Sequence, residues 1–453
     1  MAQNSEFLGT GSVKKRMLQM AVPALIAQVI NLLYNVVDRI YIGHIPEIGA
    51  AALTGVGLFT PILMLITAFA MLAGSGGAPR AAIAMGKQDK KGAQQILGNC
   101  FAVLMAMAVV LTVVFYATLP QLLRLFGASG NTLPYALEYG RIYVLGSVFV
   151  LCVMGMNPFI TAQGFAKVSM LTTVIGAVLN IILDPIFMFW LDMGVSGAAL
   201  ATVLSQAVGA LWILSFLTGR KTHLRLSLKG MKPEARVILP CLGLGVSTFV
   251  MLSTESVLSV SFTSSLARYG GDVAVGAMTV MTSVNQLISM PMVGICQGGQ
   301  PLISYNYGAG KLDRVKEAFR CQFVACVVYA AVFWLMVQLI PGKLAGVFTD
   351  NVALVEYTAW SLRIFLACGF SIGFQTSCQQ AFVALGQAKI SLFMACLRKL
   401  ILLIPLIFVL PIFFENKVLA VFLAEPVSDL VAAVVTTVVF FSFFRKITKG
   451  KRC

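Results

Sequence analysis

The sequence predicts an all-α polytopic membrane protein of twelve transmembrane helices arranged as two six-helix bundles. Three observations predict it: a composition too apolar for a water-facing surface, twelve apolar runs of spanning length, and motifs that recur in order in both halves. Of 453 residues, 59% are hydrophobic and 11% charged, with a mean hydropathy of +0.90. Soluble chains carry about a quarter charged residues because their surfaces need solvation, so lipid must be most of this chain's solvent. The net charge of +16 is spread between the apolar runs and not gathered on one domain, which argues against a nucleic-acid partner. Most of the ten cysteines sit inside apolar runs without C-x-x-C spacing, and read as reduced packing residues.

A spanning helix needs about 20 apolar residues. Runs of that kind lie at 17–42, 50–75, 95–119, 135–161, 169–190, 195–218, 236–266, 274–300, 317–340, 355–383, 390–413 and 418–444. The amino-terminal "MAQNSEFLGTGSVKKRM" has no short apolar region ending in a cleavage site, so the first run is expected to be retained. With the amino terminus inside, 24 of the 33 Lys and Arg residues fall on cytoplasmic segments. The opposite side holds Arg124, Arg141, Arg268, Lys343 and Lys417, and four more lie within spans. That asymmetry puts both termini in the cytoplasm of a multi-pass plasma-membrane protein.

The halves repeat. "GGAPRAAIAMGKQDKKGA" from Gly76 resembles "GGQPLISYNYGAGKLDRVKEA" from Gly298, allowing a two-residue insertion, and "AQGFAKVS" pairs with "ALGQAKIS" at an offset of 222. Fifteen residues beyond Pro23 is Asp38, and fifteen beyond Pro240 is Glu255. Six helices per half is an even number, so both halves share one orientation. The expected division is a lobe at 1–218, a cytoplasmic connector at 219–235, and a second lobe at 236–453 ending in a basic tail. Repeats of this kind place substrate between the lobes and suit alternating access.

The polar residues inside these spans are the functional candidates. In "NLLYNVVDRIYIGH", Asp38 lies within an apolar segment, where a charge costs about 2.5–3.5 kcal/mol. Asp184 and Glu255 are also intramembrane; Glu356 and Glu425 lie nearer to span ends. A structural polar pair would account for one such acid, but depth favours a site. At ~1.5 Å per residue, Asp38 lies ~9 Å below His44, while Asp184 and Thr202 lie ~12 Å below their own external ends. Asn180 is four residues from Asp184 and so shares its helix face. Pro185 leaves the Ile181 carbonyl without its helical donor. Oxygens of this kind suit Na⁺, and two clustered carboxylates resist double ionisation and so make a proton site. The 222 offset carries Asn180 and Asp184 onto Leu402 and Leu406, so this site belongs to the first lobe alone.

The residues that carry this reading also carry a family likeness over essentially the whole chain. The Pro23-to-Asp38 spacing, "GMNPFITAQG", "NIILDP", "GAALAT" at Thr202, and Glu255 resemble the multidrug and toxic compound extrusion (MATE) transporters, and Asp38 with Asn180 and Asp184 is similar to the DinF-like branch. The resemblance implies a V-shaped two-bundle antiporter that exports cationic amphipathic compounds against inward H⁺ or Na⁺. It implies a cation site at Asp38, Asn180, Asp184 and Thr202, with Tyr139 and Asn157 lining the same lobe and Glu255 acting in the second. Tyr34 and Gln28, one and about three turns before Asp38, are further cavity candidates. One departure stands out: "FQTSCQQAF" offers Gln375, Gln379 and Gln380 where the NorM-like branch has an acid, which shifts weight to the first lobe. "GAGKLD" lacks the Ser or Thr of a phosphate loop, so ATP hydrolysis is not indicated, and with only two histidines the chain is read as no enzyme. No cofactor is expected beyond the coupling ion; a monomer is expected. The alternative is a lipid-carrier flippase, which needs cavity cations for a pyrophosphate; Arg39 and Arg363 are the candidates.

Overall fold

The computed structural model describes residues 7–46, 48–348 and 351–448, so the expected cytoplasmic end at Cys453 lies outside the described residues. Among these the chain is helical throughout, in the predicted order. The spans are α1 (Val13–Gly43), α2 (Gly49–Gly86), α3 (Lys90–Leu125), α4 (Leu133–Leu145 and Ser147–Ala162), α5 (Ala166–Trp190) and α6 (Gly194–Thr218). The second half follows as α7 (Ala235–Gly271), α8 (Val273–Gly308), α9 (Leu312–Leu339), α10 (Val352–Phe365 and Ser371–Ala384), α11 (Ala388–Phe413) and α12 (Lys417–Thr448). Ten are single helices long and apolar enough to span; α4 bends by 57° at Gly146, and α10 is interrupted by the turn at 366–370.

Local chemistry sets these boundaries. The Asp89 carboxylate caps α3 by accepting from the Gly92 amide at 2.8 Å. Between α7 and α8 a single residue, Gly271, leaves helical geometry (φ 65°, ψ −162°), a conformation that a side chain would oppose. Two spans contain π-helical turns, Ile186–Trp190 directly after Pro185 and Leu397–Leu403 within α11. α2 continues past the expected end near 75 to Gly86, and its last turns pack on the end of α8.

That packing joins the halves. Lipid gives helices no hydrophobic reason to associate, so close contact depends on small residues that let backbones approach. Gly76 of α2 faces the Cys241 carbonyl of α7, and Gly245 of α7 faces the backbone of Leu72. Nearer the basic loops, Gly86 faces the Tyr305 carbonyl and Gly308 faces Ile83. The larger apolar core runs across this contact, joining Ala82 and Phe159 to Leu302, Phe319, Phe382 and Phe440. A smaller core, with Leu258, Phe262, Met281, Phe365 and Phe422, belongs to the second half alone. At the basic end, Arg314 donates to the carbonyls of Leu8, Thr10 and Gly11, fastening the amino-terminal segment to the second half.

Candidate functional site

In the first lobe, α5 and α6 present Asn180, Asp184 and Thr202 to one another. Asn180 Nδ2 donates to Asp184 Oδ1 at 3.2 Å and to Thr202 Oγ1 at 3.3 Å, and Thr202 Oγ1 donates to the Ala198 carbonyl at 3.0 Å. Asp184 is 0% exposed, Asn180 1% and Thr202 4%. α1 brings Asp38 against Asp184, so the two carboxyls meet across the helix interface. The four residues expected to form a cation site therefore do converge.

Their hydrogen bonding is incomplete in one direction only. Asp38 Oδ1, Asn180 Oδ1 and Asp184 Oδ2 are buried and accept from no N–H or neutral hydroxyl donor, and the two carboxyls can hydrogen-bond each other only through a shared proton. Leaving a buried acceptor unmet costs about 1–3 kcal/mol, more for a charged group. Three such oxygens around two carboxyls form a centre that a proton or a bare cation would satisfy. Among the described residues no three His, Cys, Asp or Glu side chains group as a metal site, and the oxygens gathered here are those of two carboxyls, one amide and one hydroxyl.

One cavity touches the centre, and a second adjoins that cavity. A small one of about 40 Å³ touches Tyr34, Gly176, Ala177, Asn180, Thr202 and Ser205. A larger one of about 330 Å³ lies between the lobes, with Gln28 and Asn157 from the first half and Thr248, Met251, Gln297 and Gln380 from the second. Asn31 lines both. The larger lies in the size range of small-molecule pockets, and its wall is apolar with amides and hydroxyls but no acid. Gln28 Nε2 donates across the lobes to Gln297 Oε1 at 3.1 Å, and Asn157 donates to the Ser169 carbonyl at 3.3 Å.

Two expected cavity residues sit otherwise. Tyr139 is 3% exposed and packed between Phe59 and Tyr143, with Thr202 beside it, so it backs the acid cluster and does not face the cavity. Glu255 is not a lone acid: Lys399 Nζ pairs with its carboxylate and also donates to the Met251 carbonyl at 2.8 Å. Next to it Arg398 bonds Asp429 at 2.6 Å and Glu425 at 3.2 Å. Asp429 was not singled out from the sequence. The available signal was Arg398–Lys399 in the middle of an apolar run, since two intramembrane cations require acids facing them.

The comparisons with known proteins agree with this architecture. The MatE family model matches residues 23–186 and 247–409, one match in each half. The chain is 26% identical to "Multidrug export protein MepA" of Staphylococcus saprophyticus over 400 residues, covering 88% of this chain and 87% of that one. It is also 26% identical to the protein of that name from Staphylococcus aureus over 428 residues, covering 93% of each. Among solved structures, a multidrug resistance MATE family transporter in an outward-facing conformation superposes with a TM-score of 0.91 at 24% identity, covering 98% of this chain and 99% of that one. A MOP superfamily transporter from Pyrococcus furiosus, described as having a reversed binding-pocket polarity, gives 0.90 at 23% identity, with 99% of both chains covered. These likenesses carry the fold, and the paired family matches span well over half the chain. The chain belongs to the MatE family, a multi-pass membrane transporter of small molecules and not an enzyme.

Proposed function

We propose that this protein is an antiporter that exports cationic amphipathic compounds, including drugs, through the interlobe cavity, driven by inward H⁺ or Na⁺ at Asp38, Asn180, Asp184 and Thr202. The observation that carries the reading is the set of donorless buried oxygens on Asp38, Asn180 and Asp184, a centre that a proton or cation completes. An ion bound there biases the lobes only if its affinity differs between their two arrangements. Asp38 on α1 and Asp184 on α5 would separate or close as those helices move, which supplies that difference. The names of the staphylococcal relatives support multidrug export as the substrate class. The reading places the protein in the plasma membrane as a monomer with both ends in the cytoplasm.

The flippase alternative needs free cations on the cavity wall. Among the described residues no Lys or Arg lines the cavity; Lys399, which bonds the lining residue Met251, is engaged by Glu255, while Arg39 and Arg363 are exposed. The test is ethidium transport in proteoliposomes under separately imposed H⁺ and Na⁺ gradients. Transport driven by one gradient and not the other assigns the ion. Equal rates with neither gradient imposed would refute coupling.

A further inference from the structure

The second lobe holds a charge cluster that the transport reading does not use. Glu255 lies on α7, Arg398 and Lys399 on the π-helical stretch of α11, and Glu425 and Asp429 one turn apart on α12. Arg398 Nε donates to Asp429 Oδ1 at 2.6 Å and Arg398 Nη2 to Glu425 Oε1 at 3.2 Å, while Lys399 holds Glu255. The charged groups that act on Glu425 are Asp429, Arg398, Glu255 and Lys399, and the Cys368 thiol, in the turn that interrupts α10, lies within the field of Asp429. Three carboxylates thus meet two cations. With all five ionised the cluster carries one uncompensated negative charge inside a membrane span, a costly arrangement that one proton removes. Glu425 is the carboxylate to carry it, because it shares Arg398 with Asp429 and has the longer contact.

The cluster is open at one end only. The Glu255 side chain is 51% exposed, against 15% for Arg398, 7% for Lys399, 8% for Glu425 and 4% for Asp429. Glu255 lies outside the cavity lining but one turn from Met251, which lines it, so of the five charged groups Glu255 is the one most open to a cation leaving the cavity. We propose that the cluster is a second proton site, in which an organic cation that pairs with Glu255 frees Lys399 to pair with Glu425 and so expels the proton held there. The charge balances: the cluster is neutral with the proton on Glu425, and neutral again with the organic cation on Glu255 and the proton released to water. π-Helical turns recur at functional positions, and the one here lets Arg398 and Lys399, adjacent in sequence, serve different partners.

The inference rests on the reading of the chain as an exporter of cations, and its test separates the two. The purified full-length protein in weakly buffered detergent is titrated with tetraphenylphosphonium while a pH-indicator dye records proton release and fluorescence records binding. Wild type should release protons as it binds. Glu425→Gln should bind more weakly than wild type, because the ammonium freed from Glu255 finds no carboxylate to receive it, and at saturating ligand should release about one fewer proton per ligand. Glu255→Gln, at the half-exposed end of the cluster, leaves two carboxylates facing two cations with no resting proton, so it too should release about one fewer proton per ligand; it is the deciding variant if Glu425→Gln does not fold. Undiminished release from the variant that folds overturns the proposal while leaving cation export intact. A wild type that binds no tetraphenylphosphonium overturns both.

Discussion

Asp184→Asn should make this protein more stable and nearly inactive. Asp184 is completely buried, with Oδ1 accepting from Asn180 and Oδ2 lacking a donor beside the equally donorless Asp38 Oδ1. An asparagine keeps an oxygen for the Asn180 bond and turns an N–H₂ toward Asp38. One previously unmet buried acceptor gains a donor, a change of about 1–3 kcal/mol. The opposition of two neighbouring carboxyls also ends. The net expectation is a stabilisation of about 2 kcal/mol, seen as a rise of a few degrees in a thermal melt followed with a thiol-reactive dye. Transport should fall, because the ion loses a carboxylate through which it distinguishes the two arrangements; loss of about 3 kcal/mol of that preference corresponds to roughly 100-fold. The assay is gradient-driven ethidium uptake in proteoliposomes, normalised to folded protein. A variant that melts lower yet transports at the wild-type rate would make Asp184 a structural residue and refute the coupling argument.

Arg398→Leu should leave Glu425 and Asp429 buried without their common partner; loss of about 3–5 kcal/mol is expected, read as little folded protein in the membrane. Adding Glu425→Gln and Asp429→Asn to it should restore folded protein, and no recovery would mean that Arg398 acts through packing. Gly245→Val should prevent the lobes from closing where α7 crosses Leu72, giving a large loss of transport, whereas Gly243→Val, with open space at its Cβ, should be tolerated. A single cysteine placed at Lys221 in a cysteine-free background should react with an impermeant maleimide only after cells are permeabilised; labelling of intact cells would reverse the proposed orientation.

The convergence of Asp38, Asn180, Asp184 and Thr202 was legible because it depends on two quantities a sequence contains: rise per residue, which sets depth, and the i,i+4 relation, which sets a face. The Lys399–Glu255 pair depends on rotation about α7 and α11 and on a π-helical turn that shifts the facing side chains, and neither is encoded in local periodicity. Tyr139, expected from the family resemblance alone, was lost to the same cause, because its ring turns toward Phe59. The breaks in α4 and α10 fall inside apolar runs, where hydropathy sees one span, and the length of α2 follows from glycines that acquire meaning only against Tyr305 and Cys241.

The two lobes solve the problem of buried acids differently, and the repeat locates the difference. Subtracting the 222-residue offset from Arg398 and Lys399 gives Gly176 and Ala177, both of which line the small cavity beside Asn180. Where the second lobe carries its own guanidinium and ammonium for Glu255, Glu425 and Asp429, the first lobe has two small residues, open space and donorless acids. A fixed internal cation cannot report a gradient, because it is present in every state. A space beside an acid can, because what fills it comes from one side of the membrane or the other. The asymmetry therefore favours the first lobe as the place of the coupling ion proposed above, and leaves the second to exchange its own proton for the cargo. Gly176→Lys, which would install in the first lobe the cation the second carries, should then abolish gradient-driven transport while leaving tetraphenylphosphonium binding measurable. Transport at the wild-type rate in that variant would show that the space beside Asn180 is not where the coupling ion acts.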